Sequence, residues 1–126
     1  MNPLSRTGAT IVVFALLSYT IAVVGEQRRH RLAPQVLAFL TVGVLLDVTA
    51  TIFMILGSSK GAFTLHGVLG YSSLAAMIVD TGLMWRLATS AGPGAEVPRG
   101  LHLYTRVAYL WWVAAFITGG LLVAMR

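Results

Sequence analysis

"FTLHGVLGYSSLAAMIVDTG", residues 63–82, is apolar enough to cross a bilayer, yet it carries His66 near its start and Asp80 fourteen residues later. A span of the hydrocarbon core takes roughly 20 predominantly apolar residues. The question this stretch raises is why two ionisable groups share one hydrophobic helix. At about 100° per residue, fourteen steps return a side chain to within roughly 40° of its starting direction. His66, Gly70, Ser73, Met77 and Asp80 therefore form one stripe. An Asp near mid-membrane costs at least ~2.5–3.5 kcal/mol on insertion scales, so the stripe is expected to face other helices and not lipid. Gly67, Gly70, Ser73 and Ala76 would let a neighbouring helix come close.

The rest of the chain agrees with this reading. Of its 126 residues 57% are hydrophobic and only 10% charged, whereas about a quarter of a soluble domain is charged. Four runs have spanning length, at 3–24, 34–57, 63–87 and 100–125. They leave almost nothing for a soluble domain, so residues 1–126 read as a single four-span unit. The connections are short and rich in Gly, Pro or charge: "GEQRRHRLAP", "GSSKGAFT" and "ATSAGPGAEVPRG". Gly25 is expected to end the first helix and Pro34 to start the second. Short connections make sequential helices antiparallel neighbours, and the expected fold is an all-α, integral membrane, up-down-up-down four-helix bundle.

The net charge of +5 is no nucleic-acid signature, because the arginines sit between apolar runs, where they set topology and meet anionic head groups. Arg28, Arg29, Arg31, Arg86 and Arg99 flank the first and third connections, against Arg6, Lys60 and Arg126 on the other side. That bias puts those two connections in the cytoplasm and both termini outside. The first run lacks a small-x-small cleavage site and is followed by arginines, so it reads as a retained span. The absence of cysteine excludes disulfides and thiol chemistry. There is no hydrolase constellation and no phosphate-cradling Gly-rich pattern.

The second run carries Gly43, Asp47 and Thr51 one turn apart, with Met54 a turn further on. The fourth places His102 and Arg106 on one face, continued by Tyr109. Antiparallel packing brings Asp80 and Arg106 to similar depth, so an Asp80–Arg106 ion pair with His102 nearby is expected. Plainer readings stand beside these: Asp80–Arg106 as a fastener, Asp47 with Thr51 as a hydrogen-bonded packing group, and the histidines at span ends meeting water. Trp85 has the position of an interface anchor, and the methionines suit packing.

"LDVTAT" (47–51 within it), "FTLHGVLG" and "LHLYTRVAYLWW" resemble the HsmA family of small bacterial four-span membrane proteins. The resemblance covers the last three helices and implies a multi-pass protein of the bacterial inner membrane. The family pattern has a second histidine near the position of Asp80. Two histidines fourteen apart also resemble the helix pairs of b-type cytochromes. By that likeness haem b is the implied cofactor, held at His66 with His102 or Met54 as further ligands. Asp80 departs from the pattern, since haem iron takes His, Met, Cys or Tyr. Three functions follow as expectations. The first is a redox-associated protein binding haem or quinone near His66. The second is a non-catalytic accessory subunit of a larger membrane complex. The third is a small proton-coupled carrier acting as a homo-oligomer.

Overall fold

A computed structural model describes residues 3–57, 65–92 and 94–124, with no side chain described at Ser5, Gly57, Leu65, His66 or beyond Gly119. Four helices account for most of them: α1 (Pro3–Arg29), α2 (Pro34–Gly57), α3 (Leu65–Ala91) and α4 (Arg99–Ala124). The second connection, with Lys60 and Gly61, lies outside the described residues.

Local chemistry explains the helix ends. Pro34 opens α2, where its missing N–H costs nothing and its fixed φ suits a helix. The Pro98 carbonyl accepts from the His102 N–H at 2.9 Å and so starts the hydrogen-bond ladder of α4. Gly92 ends α3 at φ +86°, its N–H donating to the Ala88 carbonyl at 3.1 Å, the left-handed cap that glycine favours. The first helix differs from expectation. Gly25 does not end it: α1 runs on through Glu26 and Gln27 to Arg29, because glycine inside an apolar helix is tolerated where neighbours pack on it. His30 supplies the cap instead, at φ 56°, with its N–H on the Glu26 carbonyl at 2.7 Å. That extra turn brings Glu26 inside.

The first and third connections are laced together. Leu32 N–H donates to Ala95 O at 2.8 Å, Gly94 N–H to Leu32 O at 2.8 Å and Val97 N–H to His30 O at 2.9 Å. Arg31 and Glu96 form an antiparallel bridge between these bonds. Leu32 and Val97 are buried beneath this clasp and close one end of the core.

Helix α1 packs closely on α2. A side chain at Gly8 would meet Met54 and the Ala50 carbonyl, and one at Gly43 would overlap the Tyr19 ring. Ser18 Oγ donates to the Phe39 carbonyl at 2.6 Å. Helix α3 is tied to α4 by Tyr104 Oη donating to Ala76 O (2.8 Å) and Trp111 Nε1 donating to Ser72 Oγ (2.9 Å). Trp85 Nε1 reaches Thr41 Oγ1 of α2 at 3.0 Å. Thr20 and Tyr109 join α1 to α4 through their hydroxyls at 2.7 Å. Gly70 was expected to receive a helix, but no described atom lies within 4 Å of a side chain built there. The tight approach falls at Gly8 and Gly43 instead.

The burial pattern is inverted relative to a soluble bundle. Phe14, Leu17, Leu45, Leu56, Val107 and Leu110 are each more than half exposed, while Glu26 and Asp80 are fully buried. Three helices, α1, α2 and α3, are long and apolar enough to cross a membrane. Helix α4 has 26 residues but opens with Arg99, His102 and Arg106.

Candidate functional site: a buried ladder of acids

The chain has four acidic residues, and three of them, Glu26, Asp47 and Asp80, are buried. Each comes from a different helix, and α4 supplies a partner to all three. Their places follow from the period of that helix. His102, Thr105 and Trp112 recur at spacings of three and seven, which keeps them on one inward face. At 1.5 Å per residue, the three acids stand at levels separated by roughly 4.5 and then 10 Å along α4.

The first level lies just under the clasp. Glu26 Oε2 is 2.6 Å from His102 Nδ1, the one salt-bridge contact among the described residues. Gln27 Nε2 donates to Glu26 Oε1 at 2.7 Å and to the His102 carbonyl at 2.9 Å, so it ties the pair to the start of α4. Arg106 Nε donates to Gln27 Oε1 at 2.8 Å, and its Nη2 is 3.5 Å from His102 Nε2. The His30 ring stacks on that of His102, with centroids 4.2 Å apart.

At the second level Thr105 Oγ1 donates to Asp80 Oδ1 at 2.5 Å. Asp80 Oδ2 and Thr81 Oγ1 are buried with no hydrogen-bond partner among the described residues. Buried polar atoms are nearly always paired, to protein or to ordered water, so these two mark a place where something polar belongs.

The third level is midway along the helices. Asp47 Oδ2 accepts from Tyr19 Oη at 3.0 Å and from Trp112 Nε1 at 2.7 Å. The Tyr19 and Trp112 rings meet edge to face, with centroids 5.0 Å apart, and Trp112 stacks on Phe116. Both donors reach one carboxylate oxygen from different helices, so Asp47 holds α1, α2 and α4 together.

The expected site residues fare differently. Asp47 and Asp80 face inward as the insertion argument required. The Asp80–Arg106 pair does not form: Thr105, one position earlier, faces Asp80, while Arg106 lies about 100° further round and reaches Gln27 of α1. His102 does not sit beside water at a span end but is buried against Glu26. Thr51 donates to the backbone carbonyl of Asp47 and not to its carboxylate. Met54 packs on Gly8. The His66 side chain lies outside the described residues. Tyr19, Glu26, Gln27, Thr105 and Trp112 went unforeseen. The spacing Ala15, Tyr19, Ala22, Glu26 on α1 is the signal that would have found two of them, since these positions share one face and all are buried.

No protein-family model, curated protein or solved structure matches this chain. The likeness to the HsmA family therefore rests on the sequence motifs alone.

The donor set can be tested against a haem. His102 does not fit as an axial ligand: Glu26 takes one ring nitrogen, Arg106 stands at the other, and His30 covers a face of the ring. Met54 is engaged in packing against α1. Among the described residues no group of three or more His, Asp or Glu side chains could hold a metal ion. What the described interior does offer is hydroxyl, carboxyl, imidazole and amide groups in hydrogen-bond contact, the chemistry of proton binding.

Proposed function

We propose that this chain is an integral membrane protein of four up-down-up-down spans whose buried acids take up and release protons, and that it works as a small proton-coupled membrane component. The inverted surface supports the membrane setting, since large apolar side chains cover the outside of all four helices. On this reading α4 is the fourth span. Arg99 and Arg106 in its first turns extend their charged heads towards the interface, as long cationic side chains do near span ends. The clasp between the first and third connections supports a common side for them, and their arginines favour the cytoplasm for that side, with both termini outside, in the bacterial inner membrane that the HsmA likeness implies.

The observation that carries the proton reading is the pairing of the acids. Every described arginine is exposed, and among the described residues Asp47 and Asp80 are met only by neutral donors. A structural ion pair would have matched each acid with a cation. Ionisable groups left without one inside a span mark ion or proton pathways by default. Four helices offer little room for alternating access within one chain, so the working unit is a homo-oligomer.

Association with a redox system through haem or quinone at His66, or service as an accessory subunit, draws on the motif likeness alone. The test is proton flux. Protein reconstituted into liposomes with a trapped pH dye should move protons when a potassium diffusion potential is imposed. Asp47→Asn and Asp80→Asn should each abolish the flux. Wild-type vesicles no faster than empty ones would refute the reading.

A further inference from the structure

The two unpartnered atoms at Asp80 and Thr81 ask for an explanation that the ladder alone does not give. Asp80 is fully buried, Thr105 satisfies Oδ1, and Oδ2 has no hydrogen-bond partner among the described residues. An orphaned carboxylate oxygen is expensive to bury, and a bridging water is the usual remedy where the site is polar. Thr105 reaches Asp80 from α4, and Thr81, next along α3, has its own buried hydroxyl without a partner among the described residues. His102, which holds Glu26, and Thr105, which holds Asp80, are three residues apart on the inward face of α4, so the two acids stand at successive levels roughly 4.5 Å apart along that helix. Glu26 is also the group joined, through His102, to the exposed His30 and Arg106 at the mouth of the bundle.

We infer that a buried water joins Glu26 to Oδ2 of Asp80, making the Glu26–His102 pair the loading station through which Asp80 exchanges protons with the clasp side. This rests on the proton reading above and names the route by which its second acid is filled. The step balances without any co-reactant. A proton arriving from the clasp side through His102 protonates the Glu26 carboxylate. Protonated Glu26 then gives its proton to the water oxygen as that water passes one of its own to Asp80 Oδ2. Glu26 is left ionised, Asp80 neutral and the water unchanged. Thr105 stays a donor to Oδ1 throughout, which keeps Oδ2 as the receiving atom. Arg106 is engaged by Gln27 and takes no part in the transfer to Asp80.

The experiment reads loading separately from transport. After a rapid drop in pH on detergent-solubilised protein, the carboxylic C=O stretch of Asp80 is followed by infrared difference spectroscopy, assigned by its loss in Asp80→Asn. Glu26→Gln should slow the rise of that band roughly a hundredfold, the lower range for removing a positioned proton-transfer group, with the same final amplitude. Glu26→Asp keeps an acid one methylene further from the water; it should slow the rise less, and carries the test if the glutamine variant does not fold. A rise at the wild-type rate in these variants, or the absence of any Asp80 band change in wild type, would overturn the relay. Normal Glu26-dependent loading in a protein that moves no protons across liposomes would leave the relay standing and sink the transport reading.

Discussion

Gly43 is the position where the structure makes its sharpest energetic claim. A methyl group there would overlap the ring of Tyr19, a fully buried side chain. Forcing the ring aside should cost about 1–3 kcal/mol of overpacking strain. The displaced ring also draws its hydroxyl away from Asp47, and a buried acceptor losing a donor adds about 1–3 kcal/mol. Trp112 still serves the same oxygen, so the second figure belongs at its lower end. Gly43→Ala should therefore destabilise the protein by about 2–4 kcal/mol in total. Gly82→Ala is the matched control on α3, where no atom of another described element lies within 4 Å of the new methyl. It should be neutral or stabilising by up to about 1 kcal/mol, the gain in helix propensity from glycine to alanine. Unfolding in mixed detergent and denaturing micelles, followed by helical circular dichroism, measures both. In a Tyr19→Leu background the penalty of Gly43→Ala should shrink by more than half, because the clash partner is gone. Equal stabilities for the two alanine variants, or an undiminished penalty in that background, would refute the packing assigned to α1 and α2.

Other expectations follow from single contacts. Asp80 and Arg106 should show no coupling in a double-mutant cycle, whereas Asp80 and Thr105 should couple by about 1.5–3 kcal/mol, the worth of a hydrogen bond to a charged group. A cycle on Glu26→Gln and His102→Gln should show coupling above about 1 kcal/mol, and a value near zero would mean the pair is not made. Cysteines replacing Arg31 and Glu96, opposed in the clasp, should form a disulfide under mild oxidation, because bridge partners lie within the Cα spacing a disulfide needs. A single cysteine at Ala95 should stay unlabelled by an impermeant reagent in intact cells while one at Gly61 reacts; the reverse pattern overturns the orientation.

Sequence alone determined the helical class, the number of helices and the inward direction of Asp47 and Asp80. All three follow from quantities that add along a chain: the apolar length a bilayer demands, and the cost of turning a carboxyl to lipid. It also marked the first and third connections as breaks rich in Gly, Pro and charge, though not the hydrogen bonds that join them. Three of the four helices are long and apolar enough to cross a membrane by composition; α4 is less plainly so, because its first two turns are charged. The partners of the acids were not readable. Whether Thr105 or Arg106 meets Asp80 turns on one residue's 100° of rotation, and that angle is set by how α3 and α4 pack, not by either sequence alone. Glu26 was hidden for a similar reason. Gly25 looks like a stop until Val36 packs beside it and His30 provides the cap, and only then does the next turn carry an acid into the core. Tyr19 and Trp112 are ordinary apolar residues in a one-dimensional reading. Their polar tips acquire a role only when three helices bring them to the same carboxylate oxygen, a convergence that belongs to the tertiary structure.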